Sequence, residues 1–133
     1  MNKTKVFIDG QHGTTGLKIH SRLINREDIE LVEIPIEHKK DLDVKKEILN
    51  SVDIVFLCLP DDAARESVSL IQNENVRVLD PSTAHRVAPD WEYGIPELNK
   101  AQREKIRNSK RVSVPGCYAT GFNICILKTC VLW

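Results

Sequence analysis

The chain has 133 residues, 41% of them apolar and 29% charged, the size and composition of a single globular domain that can bury an ordinary core. Lys plus Arg equals Asp plus Glu at 19 each, so net charge gives no attraction to nucleic acid or to an anionic membrane surface. The longest uninterrupted apolar run, Ile54–Leu59, is far shorter than the roughly 20 residues a membrane-spanning helix requires.

The opening "MNKTKVFIDG" has no apolar signal-peptide core and runs almost directly into a strand pattern. Four cysteines, at 58, 117, 125 and 130, show no zinc-like pairing. Together these predict reduced thiols in a cytoplasmic protein.

In chain order, "KVFID" (5–9) is a β-rich run, and 13–26 follows as a helix with Leu17, Ile19, Leu23 and Ile24 at helical spacing. "IELVEIPI" (29–36) is the second strand, with Pro35 marking the end of its regular part. Residues 41–51 read as a short polar helix whose inward side is Leu42, Val44, Ile48 and Leu49. "DIVFLCLP" (53–60) is nearly all apolar, as a central parallel strand covered on both faces would be. Acidic residues open the next helix, 61–74, where they suit its N-terminus. A fourth strand spans 76–80, a polar helix 99–108 and a fifth strand 111–116, while 81–97 is one long irregular connection of a kind that is often functional. Five rounds of strand and helix predict an α/β fold, a doubly wound, Rossmann-like parallel sheet with helices on both faces.

Directly after the first strand stands "GQHGTTG", with glycines at 10, 13 and 16. Glycine permits the turn and the close approach of a pyrophosphate, and the helix opening there offers unpaired N–H groups. The spacing is G-x-x-G-x-x-G, weak by itself, but its place between first strand and first helix predicts a dinucleotide site at Gly10, Gly13, Thr14, Thr15 and Gly16. An NAD site has an acid at the end of the second strand. Here that strand leads to Glu37, His38, Lys39 and Lys40; His38 and Lys39 are candidates for a 2′-phosphate and favour NADP. A solvated charged loop is the competing reading.

The fifth strand ends in "VSVPGCYATGF", Val112 to Phe122. Cys117 therefore falls at the carboxyl edge of the sheet, at the start of a helix, a place that favours the reactive thiolate. Beside a nicotinamide, such a sulfur forms a thioester with an activated acyl group, which hydride then reduces to an aldehyde. Cys58, Cys125 and Cys130 read instead as packing residues. Of the histidines, 12, 20, 38 and 85, only His85 in the long loop is placed to reach such a site.

"GQHGTTG", "FLCLPDDAARESV", "LDPSTAHRV", "EYGIPEL" and "VSVPGCYATG", in this order from about Lys5 to Gly121, together resemble N-acetyl-gamma-glutamyl-phosphate reductase in its short form. The resemblance implies NADPH-dependent reductive dephosphorylation of N-acetylglutamyl 5-phosphate to the 5-semialdehyde, a step of arginine biosynthesis. It implies that Cys117 is the nucleophile, that the glycines hold the cofactor, and that Ser82 and Arg86 of "STAHR" contact cofactor or substrate. It also implies a dinucleotide-binding domain over 1–116, with 117–133 beginning the catalytic segment. A second α+β domain, which in the family carries the general base and the homo-oligomer interface, is missing. Two alternatives stay open: a non-catalytic NADP-binding fragment, and an enzyme acting on aspartate semialdehyde, against which "DPSTAHR" and "YGIPEL" argue.

Overall fold

A computed structural model describes residues 3–38 and 41–130. Six strands form one sheet in the order β2-β1-β3-β4-β6-β5, and every neighbouring pair is parallel. The strands are β1 (Thr4–Asp9), β2 (Ile29–Val32), β3 (Ile54–Leu57), β4 (Arg77–Asp80), β5 (Glu92–Tyr93) and β6 (Arg111–Ser113). The helices are α1 (Thr14–Leu23), α2 (Leu42–Ser51), α3 (Asp61–Leu70), α4 (Gln102–Asn108) and α5 (Cys117–Cys130).

The chain leaves β1 toward β2 in one direction, then returns across β1 to β3 and β4 in the other. Right-handed crossovers therefore put α1 on one face of the sheet and α2 with α3 on the opposite face. Side-chain alternation along β1 agrees. Phe7 joins Leu49 of α2 and Ala64 of α3 in a core with Val55, Leu57, Val76 and Val78, and Val6 and Ile8 are buried on the other side. Each of these large apolar side chains stabilises the fold by about 1.5–3 kcal/mol. Asn50, near the end of α2, donates to the carbonyl of Leu70 and accepts from the N–H groups of Gln72 and Asn73. That clamp ends α3 and ties the two helices of the core face together.

The structure corrects several sequence expectations. The second strand stops at Val32, and Ile36–His38 form a single 3-10 turn, because Pro35 cannot donate to a ladder. The long connection is not wholly irregular: β5 lies inside it and adds a sixth strand beside β6. In α1 the buried line is Gly16 with half-buried Ile19 and Leu23, while Leu17 and Ile24 face solvent. Leu42 is likewise exposed at the start of α2; Lys45 is turned inward to an ion pair with Asp9 at 2.8 Å.

Candidate active site

The crevice between the exits of β1 and β3 is the point where the winding direction reverses, the place where open parallel sheets bind ligands. Three loops meet there. A cleft of about 210 Å³ is lined by Gly13, Thr14 and Thr15 after β1, Cys58 and Leu59 after β3, and Pro81 and Ser82 after β4. A second cleft of about 210 Å³ adjoins it through Leu59 and reaches Gly10, Gln11, His12 and Ile34.

The three glycines have different local reasons. Gly10 has φ +81°, and a Cβ on it would lie 2.2 Å from the carbonyl oxygen of Cys58. A Cβ on Gly16 would lie 2.4 Å from the carbonyl oxygen of Gly10, so α1 starts in direct contact with the loop. Gly13 is different: a Cβ there would meet only the Gly10 oxygen, at 3.4 Å. It caps α1 without a side-chain hydrogen bond. Gly13, Thr14 and Thr15 at the head of α1 line the first cleft, where the first N–H groups of a helix have no intrahelical partner, which fits a pyrophosphate.

The acid that would bind ribose hydroxyls at the end of β2 is not directed to these clefts. Glu33 meets Nε2 of His20 on α1 at 3.3 Å, and the next residue, Ile34, lines the second cleft. His38 lies 3.8 Å from Asp41, is half exposed, and is not among the residues lining either cleft. Lys39 lies outside the described residues.

The segment after β4 is wound around one carboxylate. Asp80 is fully buried and accepts from the N–H of Ser82 at 2.8 Å, the hydroxyl of Ser82 at 2.8 Å and Nδ1 of His85 at 2.6 Å. The Ser82 hydroxyl in turn accepts the N–H of Ala84 at 3.2 Å. Thr83 is held from the other side by Asp61 at the start of α3, through both its N–H and its hydroxyl. That hydrogen bonding, from Thr83 above all, holds the Asp61 carboxyl below its ordinary range. His85 is buried and stacks on Trp91 with ring centroids 4.2 Å apart. Its ring lines neither of the two clefts.

Arg86 comes next in this wound segment. Its Nη2 donates to the carbonyl of Pro81 at 3.1 Å, and its Nε is buried with no partner. A Cβ on Gly116 would lie 3.1 Å from Nη1 of Arg86, so the guanidinium lies against the residue that precedes Cys117. Cys117 is exposed and is the first residue of α5, as the sequence predicts. The two thiols differ sharply. Burial, assisted by Asp9 and Asp80, pushes the Cys58 thiol up to about 11, which keeps it protonated and unreactive at neutral pH.

Two polar groups escape a linear reading. Asp9, the last residue of β1, accepts from the Ser67 hydroxyl of α3 at 2.8 Å besides pairing with Lys45. Asp80 is the other. Each is a buried acid at the carboxyl end of a strand, the one signal available beforehand, since an acid there must be paired. Among the described residues no cluster of three or more His, Cys, Asp or Glu is arranged to hold a metal ion, and no helix is long and apolar enough to cross a membrane.

The sequence profile of the semialdehyde dehydrogenase NAD-binding domain matches residues 5–108. The chain belongs to that family. It is 60% identical over 126 residues to the N-acetyl-gamma-glutamyl-phosphate reductase of Trichormus variabilis, covering 95% of this chain and 39% of that protein. It is 58% identical over 117 residues to the same-named protein of Chelativorans, covering 88% and 38%. The chain thus spans about two-fifths of the length of these curated relatives. Among solved structures, aspartate semialdehyde dehydrogenase from Francisella tularensis superposes with a TM-score of 0.62 at 19% identity, over 85% of this chain and 36% of that one. The second enzyme of that name from Vibrio cholerae gives 0.56 at 17% identity, over 88% and 43%. These two likenesses establish the fold, a Rossmann-like parallel sheet, and nothing of the substrate.

Proposed function

We propose that this domain supplies the cofactor site and the nucleophile for NADPH-dependent reduction of N-acetylglutamyl 5-phosphate to N-acetylglutamate 5-semialdehyde, a step of arginine biosynthesis. The observation that carries this reading is the convergence of an exposed cysteine at a helix start with an unpaired arginine, on the edge of an NAD-binding sheet. Identity of 52–60% to curated reductases of that name supports the substrate class over aspartate semialdehyde, whose enzymes are only 15–19% identical.

Gly10, Gly13, Thr14, Thr15 and Gly16 hold the pyrophosphate on the N-terminus of α1, and Ser82 closes the far side of that cleft. NADP is preferred over NAD because Glu33, the acid just after β2, is taken up by His20 and lines neither cleft, and His38 and Lys39 follow in sequence as the candidates for a 2′-phosphate. Arg86 receives an anionic group of the substrate with donors it does not spend on the protein. The Cys117 sulfur attacks the acyl carbon, the C–O bond to phosphate breaks, and inorganic phosphate leaves a thioester on Cys117. NADPH, when bound on the glycine turn, would supply a hydride to the thioester carbon, and Cys117 would then leave as its thiolate as the C–S bond breaks and the aldehyde departs. The thiols suit a reducing cytoplasm.

A second reading is a domain that binds the cofactor without turnover of its own. The first reading treats residues 1–116 as the dinucleotide-binding domain and 117–133 as the start of a catalytic segment. Incubation with the semialdehyde, phosphate and NADP⁺ separates the two. Phosphate-dependent appearance of NADPH supports the reductase. Saturable NADPH binding without that signal supports the second reading, and binding of neither cofactor overturns both.

A further inference from the structure

We infer that Asp80 and His85 are positioning residues that set the Arg86 guanidinium against Gly116, the residue before Cys117. This rests on the reading of Arg86 as the cation of the reacting site. The Arg86 side chain makes a single hydrogen bond among the described residues, to the carbonyl of Pro81, and one bond does not fix so long a side chain. Its neighbours in sequence do the fixing. Pro81 lies between Asp80 and Ser82, whose N–H and hydroxyl donate to the Asp80 carboxylate, and His85 delivers its ring to the same carboxylate oxygen as the Ser82 hydroxyl. The residue that bears the guanidinium and the carbonyl that receives it are therefore both set by Asp80. On the outer side His85 stacks on Trp91, and Trp91 packs against the core, so the imidazole cannot slide off the carboxylate without leaving its stack.

The arrangement also explains Gly116. The guanidinium lies 3.1 Å from where a Cβ at 116 would stand, so the cation approaches the backbone just before Cys117. Arg86 forms no ion pair within 4.0 Å among the described residues, and the Asp61 carboxyl feels its charge only as a minor influence beside the Thr83 hydrogen bonds. The guanidinium is not neutralised by a contact ion pair.

The test compares alkylation of Cys117 by iodoacetate, an anion, with alkylation by neutral iodoacetamide, at one pH and with the site read by peptide mass. A guanidinium near the sulfur favours the anionic reagent. The wild-type ratio is expected to exceed that of Arg86→Ala by roughly fivefold, as expected for one exposed unit charge at close range. His85→Phe keeps the stack on Trp91 but removes the donor to Asp80, and its ratio is expected to fall to the Arg86→Ala value. His85→Asn retains a donor at the Nδ1 position and is expected to keep the wild-type ratio. If the phenylalanine variant does not fold, His85→Gln replaces it, since its donor lies at the Nε2 position, and loss of the ratio is again expected. A wild-type ratio in every folded donor-lacking variant overturns the positioning role even if melting temperatures drop. Equal ratios in wild type and Arg86→Ala overturn instead the underlying placement of Arg86 beside the sulfur.

Discussion

The carbonyl oxygen of Cys58 stands where a side chain on Gly10 would have to begin: a Cβ at position 10 would come within 2.2 Å of it. This contact joins the loop after β1 to the loop after β3 and brings the walls of the cofactor cleft together. Gly10→Ala must therefore both leave φ +81° and push the two loops apart. We expect a loss of roughly 2–4 kcal/mol in stability, read by urea unfolding, together with loss of NADPH binding.

Gly13→Ala separates fold from ligand. The added methyl meets nothing closer than 3.4 Å, and exchanging Gly for Ala at a helix N-cap costs about 0.5–1 kcal/mol. Stability should hold within that range while NADPH affinity, read by fluorescence titration, drops at least about tenfold, a change of 1.4 kcal/mol. An unchanged affinity would remove Gly13 from the cofactor site.

Cys117→Ser tests the chemistry. It should abolish acyl transfer and leave NADPH affinity within about threefold, less than 1 kcal/mol. A large loss of cofactor binding in this variant would give Cys117 a binding role in place of the nucleophilic one.

Cys58 predicts an alkaline weakness. Its thiol ionises at about 11 in the folded state and near 8.5 in the unfolded chain. Between those values the native state holds a proton that the unfolded state releases, so this group's contribution to stability falls as pH rises through that window. Melts from pH 7 to pH 10.5 should show a steeper decline for wild type than for Cys58→Ala. At pH 8 a disulfide reagent should label Cys117 well before Cys58.

Asp80→Ala is expected to cost about 3 kcal/mol or more, because it strands the buried donors of Ser82 and His85. Thermal unfolding measures the loss, and Asp80→Asn, which keeps an acceptor oxygen, should recover part of it.

The parts of this architecture that were legible in the sequence share one property: their signal is local. β1, the glycine turn and the start of α1 occupy thirteen consecutive residues from Lys5 to Leu17, and the positive φ of Gly10 and the Gly16–Gly10 approach are local demands, whereas the Gly10–Cys58 contact is made only by the packed sheet. Acidic residues after Pro60 announce α3 in the same way. β5 was not legible, because a two-residue strand with no alternation becomes a strand only when Val112 and Ser113 of β6 arrive beside it. The inward face of α1 was misplaced for a related reason. Helical periodicity suggests Leu17 and Ile24, but the close contact of Gly16 with the loop at Gly10 turns the helix and leaves those two in water.

The sequence by itself determined the alternation of strand and helix, the glycine turn, and the cysteine at the head of α5, since each follows from spacing along the chain. Only the tertiary structure decided how the acids are used. Glu33 was turned to His20, Asp9 to Lys45 and Ser67, and Asp80 to Ser82 and His85. The buried carboxylates of Asp9 and Asp80 must be paired, and apart from the short Asp80 turn, the partner comes from whichever element packing brings within 3 Å or so.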